Sequence, residues 1–133
     1  INVCGHLGLQ PQLVTDSSGY KIQGKDDISA QKILDDALLL ESLGVSVIVL
    51  ECIPHELAKN VSRSLNISTI GIGAGSDCDG QVLVSYDMLG ITSGRLPRFV
   101  RNFMTGKDSA REAIESFNEE VKAGTYPSID ETY

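Results

Sequence analysis

The chain has 133 residues, 11 Lys and Arg against 18 Asp and Glu for a net charge of −7, and 41% hydrophobic residues, the composition of one folded globular unit. The acidic balance argues against broad nucleic-acid binding, because phosphate-binding surfaces concentrate Lys and Arg. No apolar run approaches the roughly 20 residues of a bilayer-spanning helix and the start carries no signal-peptide pattern, so no membrane association and a cytoplasmic location are expected.

Cys4, Cys52 and Cys78 are odd in number and lack CxxC spacing, which favours reduced thiols over a zinc or redox site. The first residue is Ile1 and not Met, and residues 1–5 already read like the inside of a buried strand. The chain is therefore expected to be a piece of something longer.

Val3 and Cys4 predict a short strand that Gly5-His6-Leu7-Gly8 breaks into a loop. Residues 10–27 read as a long polar loop of the kind that is usually functional or mobile. Apolar residues at 30, 33, 34, 37, 38 and 40 predict an amphipathic helix ending near Gly44. The β-branched run at 45–50 suits a parallel strand covered on both faces, with Glu51 ending it.

Pro54 fits the first turn of a second helix, with Leu57, Ala58, Val61 and Leu65 on its buried side and Asn66 as its stop. Residues 67–72 predict a third strand, closed by a glycine loop at 71–75, and Val82-Leu83-Val84 a fourth. Gly90, Gly94 and Pro97 mark irregular chain. Ser109 with Glu112 is a capping-box pattern opening a last helix, whose stripe of Ala110, Ala113, Ile114, Phe117 and Val121 runs toward Gly124. The tail after Pro127 is polar. This alternation means α/β with a parallel sheet, and the pattern alone allows either half of a (β/α)8 barrel or a doubly wound open sheet.

In both architectures ligands sit beyond the carboxyl ends of the strands, where this chain places His6, Glu51, the 71–75 loop and Asp87. A carboxylate directly after Val47-Ile48-Val49-Leu50 is partly desolvated, which raises its pKa toward the range of a general base. Position alone also allows a strand-end Glu paired with Lys or Arg. His6 offers a donor or acceptor at the same rim, with Gly5 and Gly8 leaving room for a ligand, or else a histidine satisfied by backbone carbonyls.

His55, at a helix start, is expected to be solvated. Gly71, Gly73 and Gly75 miss the last glycine of the dinucleotide fingerprint, leaving either a backbone held close to a flat or anionic ligand, or tight packing. Asp77, Asp79 and Asp87 lack calcium-loop spacing and are expected in turns or solvent. Arg95, Arg98 and Arg101 are expected at a surface or subunit contact, with anion binding as the other reading.

Five strings occur in order: Gly5-His6-Leu7-Gly8-Leu9 with Pro11-Gln12, Gly19-Tyr20-Lys21-Ile22-Gln23-Gly24, Leu50-Glu51-Cys52-Ile53-Pro54, Gly71-Ile72-Gly73-Ala74-Gly75 and Cys78-Asp79-Gly80-Gln81-Val82-Leu83-Val84. Together they resemble the carboxyl-terminal half of the ketopantoate hydroxymethyltransferase family, from about Val3 to the helix ending near Gly124. Cys4 stands where Met is frequent in that family, Gln10 where Thr is frequent and Ser18 where a second glycine is common.

The resemblance implies a (β/α)8 TIM barrel of the phosphoenolpyruvate/pyruvate type, with residues 1–133 forming one unit that supplies its fifth to eighth strands. It implies a Mg²⁺-dependent transfer of a one-carbon unit from 5,10-methylenetetrahydrofolate to 3-methyl-2-oxobutanoate, giving 2-dehydropantoate for pantothenate and coenzyme A synthesis. Glu51 matches the family's proton acceptor and His6 its active-site histidine, while Gly71, Gly73 and Gly75 match a loop near substrate and folate. No part of the chain matches the family's metal carboxylates or its oxo-acid lysine, so no metal ligand is expected here. The chain alone is then expected to be inactive, completed by the amino-terminal half of the barrel and assembled as a homo-oligomer. A related oxo-acid lyase or mutase, or a noncatalytic assembly fragment, are the alternatives.

Overall fold

A computed structural model describes residues 1–13 and 21–133. Its sheet has four parallel strands in sequential order, β1 (Cys4–Gly8), β2 (Val47–Glu51), β3 (Ser68–Ile72) and β4 (Gly80–Gln81). Helix α1 (Asp27–Ser42) connects β1 to β2, and α2 (His55–Ser64) connects β2 to β3. A four-residue helix α3 (Ser85–Met88) and a longer α4 (Ala110–Lys122) follow β4. A doubly wound sheet reverses its strand order, and none of the described strands does so. The arrangement is α/β with a parallel sheet, consistent with part of a TIM-barrel-family enzyme. None of the described helices is long and apolar enough to cross a membrane.

Several boundaries differ from the sequence reading, each for a local reason. β1 runs through Gly5, because a Cβ there would stand 3.0 Å from Leu40 Cδ1 and 3.3 Å from Ile48 Cγ1. Glycine lets α1 lie close to the strand rather than breaking it. The fourth strand is not 82–84 but Gly80–Gln81. Asp79 Oδ2 accepts from the Thr69 N–H at 2.7 Å and from its hydroxyl at 3.1 Å, which anchors the pairing just before β4. The extended chain beyond alternates, with Leu83 buried and Val82 and Val84 exposed, but turns into α3 at Ser85.

Helix α1 starts before Ala30, since Asp26 caps it by accepting from the Ser29 N–H at 2.9 Å. Ser109 accepts from the Glu112 N–H and caps α4 as the sequence predicts. Part of the predicted 10–27 loop, and the Gly19-Tyr20 portion of its motif, lie outside the described residues.

The two sheet faces differ. Ile48 and Leu50 point to the helical side and are fully buried against Ile33, Ala37, Leu57, Ala58 and Val61. On the opposite side His6, Val49, Ile70 and Ile72 share a face, and all four are only half-buried. Helices α1 and α2 cover one side alone, and on the other side Ile72 packs against a second core. This second core joins Leu9 and Cys52 to the chain after β4, where Phe99, Phe103 and Tyr126 stack edge to face with neighbouring rings and α4 adds Ala113, Phe117 and Val121. The Phe117 and Val121 stripe thus docks on its own chain.

Ile48→Ala should cost about 2–5 kcal/mol, because the emptied site lies between a strand and two helices that cannot collapse together. Urea unfolding of the full-length protein carrying this sequence, read as a lowered midpoint with an unchanged slope, measures it.

Candidate active site

The parallel register sets the site. His6 is aligned with Val49, and Glu51 lies two residues further along β2, so both side chains leave the same half-open face at the carboxyl ends of neighbouring strands. His6 Nε2 and Glu51 Oε2 are 2.9 Å apart, a contact between residues 45 positions apart in the sequence. The Glu51 side chain is 11% exposed and that of His6 33%. Burial pushes the Glu51 carboxyl up from its ordinary 4.5, outweighing the charge and hydrogen bond of His6, which pull it down. Behind His6, the Gln10 amide donates to its backbone carbonyl at 3.1 Å, a buttress the sequence reading did not identify.

A carboxylate raised by desolvation and oriented by one imidazole can accept a proton from carbon and return it. The neighbour of Glu51 is therefore His6, and neither Lys nor Arg makes an ion pair with it among the described residues.

The glycines around the site serve packing. The space expected beside His6 is taken by Leu40 and Ile48 at Gly5, and by the Glu51 carbonyl and Ile53 at Gly8. Cβ atoms on Gly71, Gly73 and Gly75 would meet Gln81 and Cys78, the Phe99 ring and the His55 ring respectively. Gly73 and Gly75 also have φ of 63° and 81°, where glycine alone is unstrained. The loop is held by its own chain while its backbone stays beside the tips of β2 and β3.

Other candidates settle into structural roles. His55 is not solvated: its Nε2 contacts Asp77 Oδ2, and its side chain is 18% exposed. That imidazole holds the Asp77 carboxyl below its usual range. Asp87 accepts from the Thr92 hydroxyl at 2.6 Å. Arg101 is an internal tie, bound to Glu120 and Glu131 and stacked over Phe103 and Tyr126. Arg98 donates to the Thr132 carbonyl at 2.9 Å. These ties fasten the tail, a role hidden in sequence because the partners lie 19 to 34 residues away.

Among the described residues no group of three His, Cys, Asp or Glu side chains converges. They do not fit the oxygen-rich shell that Mg²⁺ requires. A cavity of about 210 Å³ lies between β1 and α1, lined by Leu7, Gln10, Gln23, Lys32 and Ile33, and includes neither His6 nor Glu51.

Comparison with known proteins decides the family. The family model for ketopantoate hydroxymethyltransferase matches residues 1–129. The chain belongs to the ketopantoate hydroxymethyltransferase family. It is 58% identical over 133 residues to the 3-methyl-2-oxobutanoate hydroxymethyltransferase of Ruthia magnifica subsp. Calyptogena magnifica, covering 100% of this chain and 51% of that protein. Identity is 56% to the enzyme of the same name from Vesicomyosocius okutanii and 50% to that from Nitrosospira multiformis, again over 100% of this chain and 51% of each relative. The chain thus spans about half the length of the curated relatives it matches.

The raised Glu51 pKa gives a testable stability profile for this family member. The native state holds the Glu51 proton more tightly than the unfolded chain, so its contribution falls as pH rises from 4.5 through the raised native value. Glu51→Gln removes that dependence. Its thermal midpoint in the full-length protein should exceed wild type at pH 7, and the gap should close below about pH 4.5.

Proposed function

We propose that this chain is the carboxyl-terminal half of a (β/α)8 barrel of the phosphoenolpyruvate/pyruvate type, a single unit over residues 1–133 that supplies strands five to eight. The assembled enzyme adds a hydroxymethyl group to 3-methyl-2-oxobutanoate, with 5,10-methylenetetrahydrofolate as one-carbon donor, in pantothenate biosynthesis. One water is consumed, and 2-dehydropantoate and tetrahydrofolate are released. The names of the relatives support the substrate. Support for the barrel comes from the half-open sheet face and from β1 and β4, whose outer edges pair with no described strand. Natural proteins seldom leave such edges uncovered.

The observation that carries the chemistry is the 2.9 Å contact between His6 and the shielded carboxyl of Glu51. Glu51 is the base that removes the C3 proton, which is acidic because it lies next to a ketone. His6 holds that carboxylate in place before the reaction and hydrogen-bonds the oxygen of the new hydroxymethyl group after it. The 71–75 backbone, beside the tips of β2 and β3, borders substrate and folate. The Mg²⁺ implied by the family resemblance is assigned to the other half of the barrel, since the described residues assemble no ligand set. The enzyme works in the cytoplasm as a homo-oligomer.

Two measurements test this reading. Glu51→Gln keeps the side-chain shape and removes the base, so exchange of the oxo acid's C3 proton with deuterium in the full-length enzyme should fall about 10²- to 10⁴-fold. Exchange at the wild-type rate rules Glu51 out. The purified 133-residue chain, assayed without any other polypeptide, should show no turnover. Product formed by that chain alone sinks the half-barrel assignment.

A further inference from the structure

The peptide that follows Glu51 is held in an unusual way. Cys52 has φ of +50°, and among the described residues no other non-glycine residue has a positive φ. The left-handed region brings Cβ against the following carbonyl and is disfavoured for every L-residue. Three hydrogen bonds fix this stretch. The Leu9 N–H donates to the Glu51 carbonyl at 2.8 Å, the Cys52 N–H to the Ile72 carbonyl at 2.9 Å and the Gln23 N–H to the Cys52 carbonyl at 2.9 Å. The Cys52 side chain is 2% exposed, inside the second core with Leu9, Leu83 and Phe99.

On the neighbouring strand tip Gly8 has φ of +87°, and a Cβ there would stand 2.2 Å from the Glu51 carbonyl oxygen and 2.7 Å from Ile53 Cγ2. The Glu51 carbonyl therefore rests against a bare backbone on one side and leads into a left-handed residue on the other. Thiol chemistry does not explain Cys52: burial, with the Glu51 charge beside it, pushes its pKa up to about 12, which keeps it un-ionised. Backbone conformations of this kind persist only where surrounding structure over-determines them, and they cluster at functional sites.

We propose that Gly8 and Cys52 are positioning residues, a two-sided clamp on the Glu51 peptide that sets its carboxylate against His6 and keeps it sheltered from water. This rests on the reading of Glu51 as the base. A Cβ at Gly8 would stand 2.2 Å from the Glu51 carbonyl oxygen, so the peptide must shift and the side chain that carries the carboxylate shifts with it. A 1 Å misplacement can cost about 10²-fold in rate.

The test is deuterium exchange at C3 of 3-methyl-2-oxobutanoate by the full-length enzyme, measured against pH. In Gly8→Ala the exchange rate should fall about 10- to 100-fold while KM for the oxo acid changes less than about threefold. The acid limb of its pH profile should move to lower pH, because a displaced carboxyl regains water and its pKa returns toward the ordinary value. His6 and the Cys52 thiol are the titratable groups that act on or respond to Glu51 among the described residues, and neither is replaced in this variant.

Cys52→Val, whose β-branched side chain opposes the left-handed backbone, should shift the limb in the same way. Cys52→Gly, which accepts that backbone, should keep it at the wild-type position. If Gly8→Ala fails to fold by circular dichroism, the Cys52 pair decides alone. A raised KM with an unmoved acid limb means general disruption and overturns the clamp. Glu51→Gln run alongside separates the readings: exchange at the wild-type rate in that variant removes the base itself. Loss of exchange there, with wild-type profiles in Gly8→Ala and Cys52→Val, overturns the clamp and leaves the base standing.

Discussion

The candidate site depends on one carboxyl group kept largely out of water and met by a single imidazole. Desolvation raises the affinity of Glu51 for its proton, and its polar partner His6 does not fully offset the effect. An arginine in the place of His6 would hold the carboxylate ionised and make it a weak base. A fully solvated position would do the same.

That interaction explains the layout around it. Parallel pairing places His6 and Glu51 on one face, and the crossover helices leave that face free because they both pack on the other. Glycine at position 5 brings α1 close and seals the helical side. The chain after β4 folds into its own aromatic core, fastened by Arg101, Arg98 and the tail. Phe99 from that core fills the space at Gly73, so the loop beside the site is supported from beneath. His55 and Asp77 tie the start of α2 to the same loop region. The packed chain supports the candidate site from the helical side and from the aromatic core, and leaves the His6 and Glu51 face half-open.

The half-open face bears on the proposed half-barrel. Val49 on β2 and Ile70 and Ile72 on β3 are β-branched residues of the kind that line buried strands, yet they are only half-covered here. Their composition suits a partner layer, and the relatives are about twice as long as this chain. Composition and exposure agree on the same side of the sheet.

Much of this was legible in the residues themselves. Periodicity of 3.6 over α1 and α4, the Ser109 cap and the β-branched run before Glu51 define the elements because they act through neighbours a few positions apart. The five ordered motifs carried the family. What the residues could not reveal were relations set at long range. Gly5 and Gly8 read as loop or as space for a ligand, whereas packing against Leu40 and the Glu51 carbonyl gives them their purpose. Val82-Leu83-Val84 has the propensity of a strand, but Asp79 bonding to Thr69 anchors the pairing earlier. His55 and Arg101 found partners 19 to 30 residues away. The sequence by itself determined which residues could act as base and partner. Only the tertiary structure decided that they face each other, because a 2.9 Å contact across 45 residues follows from strand register and the side chosen by the helices.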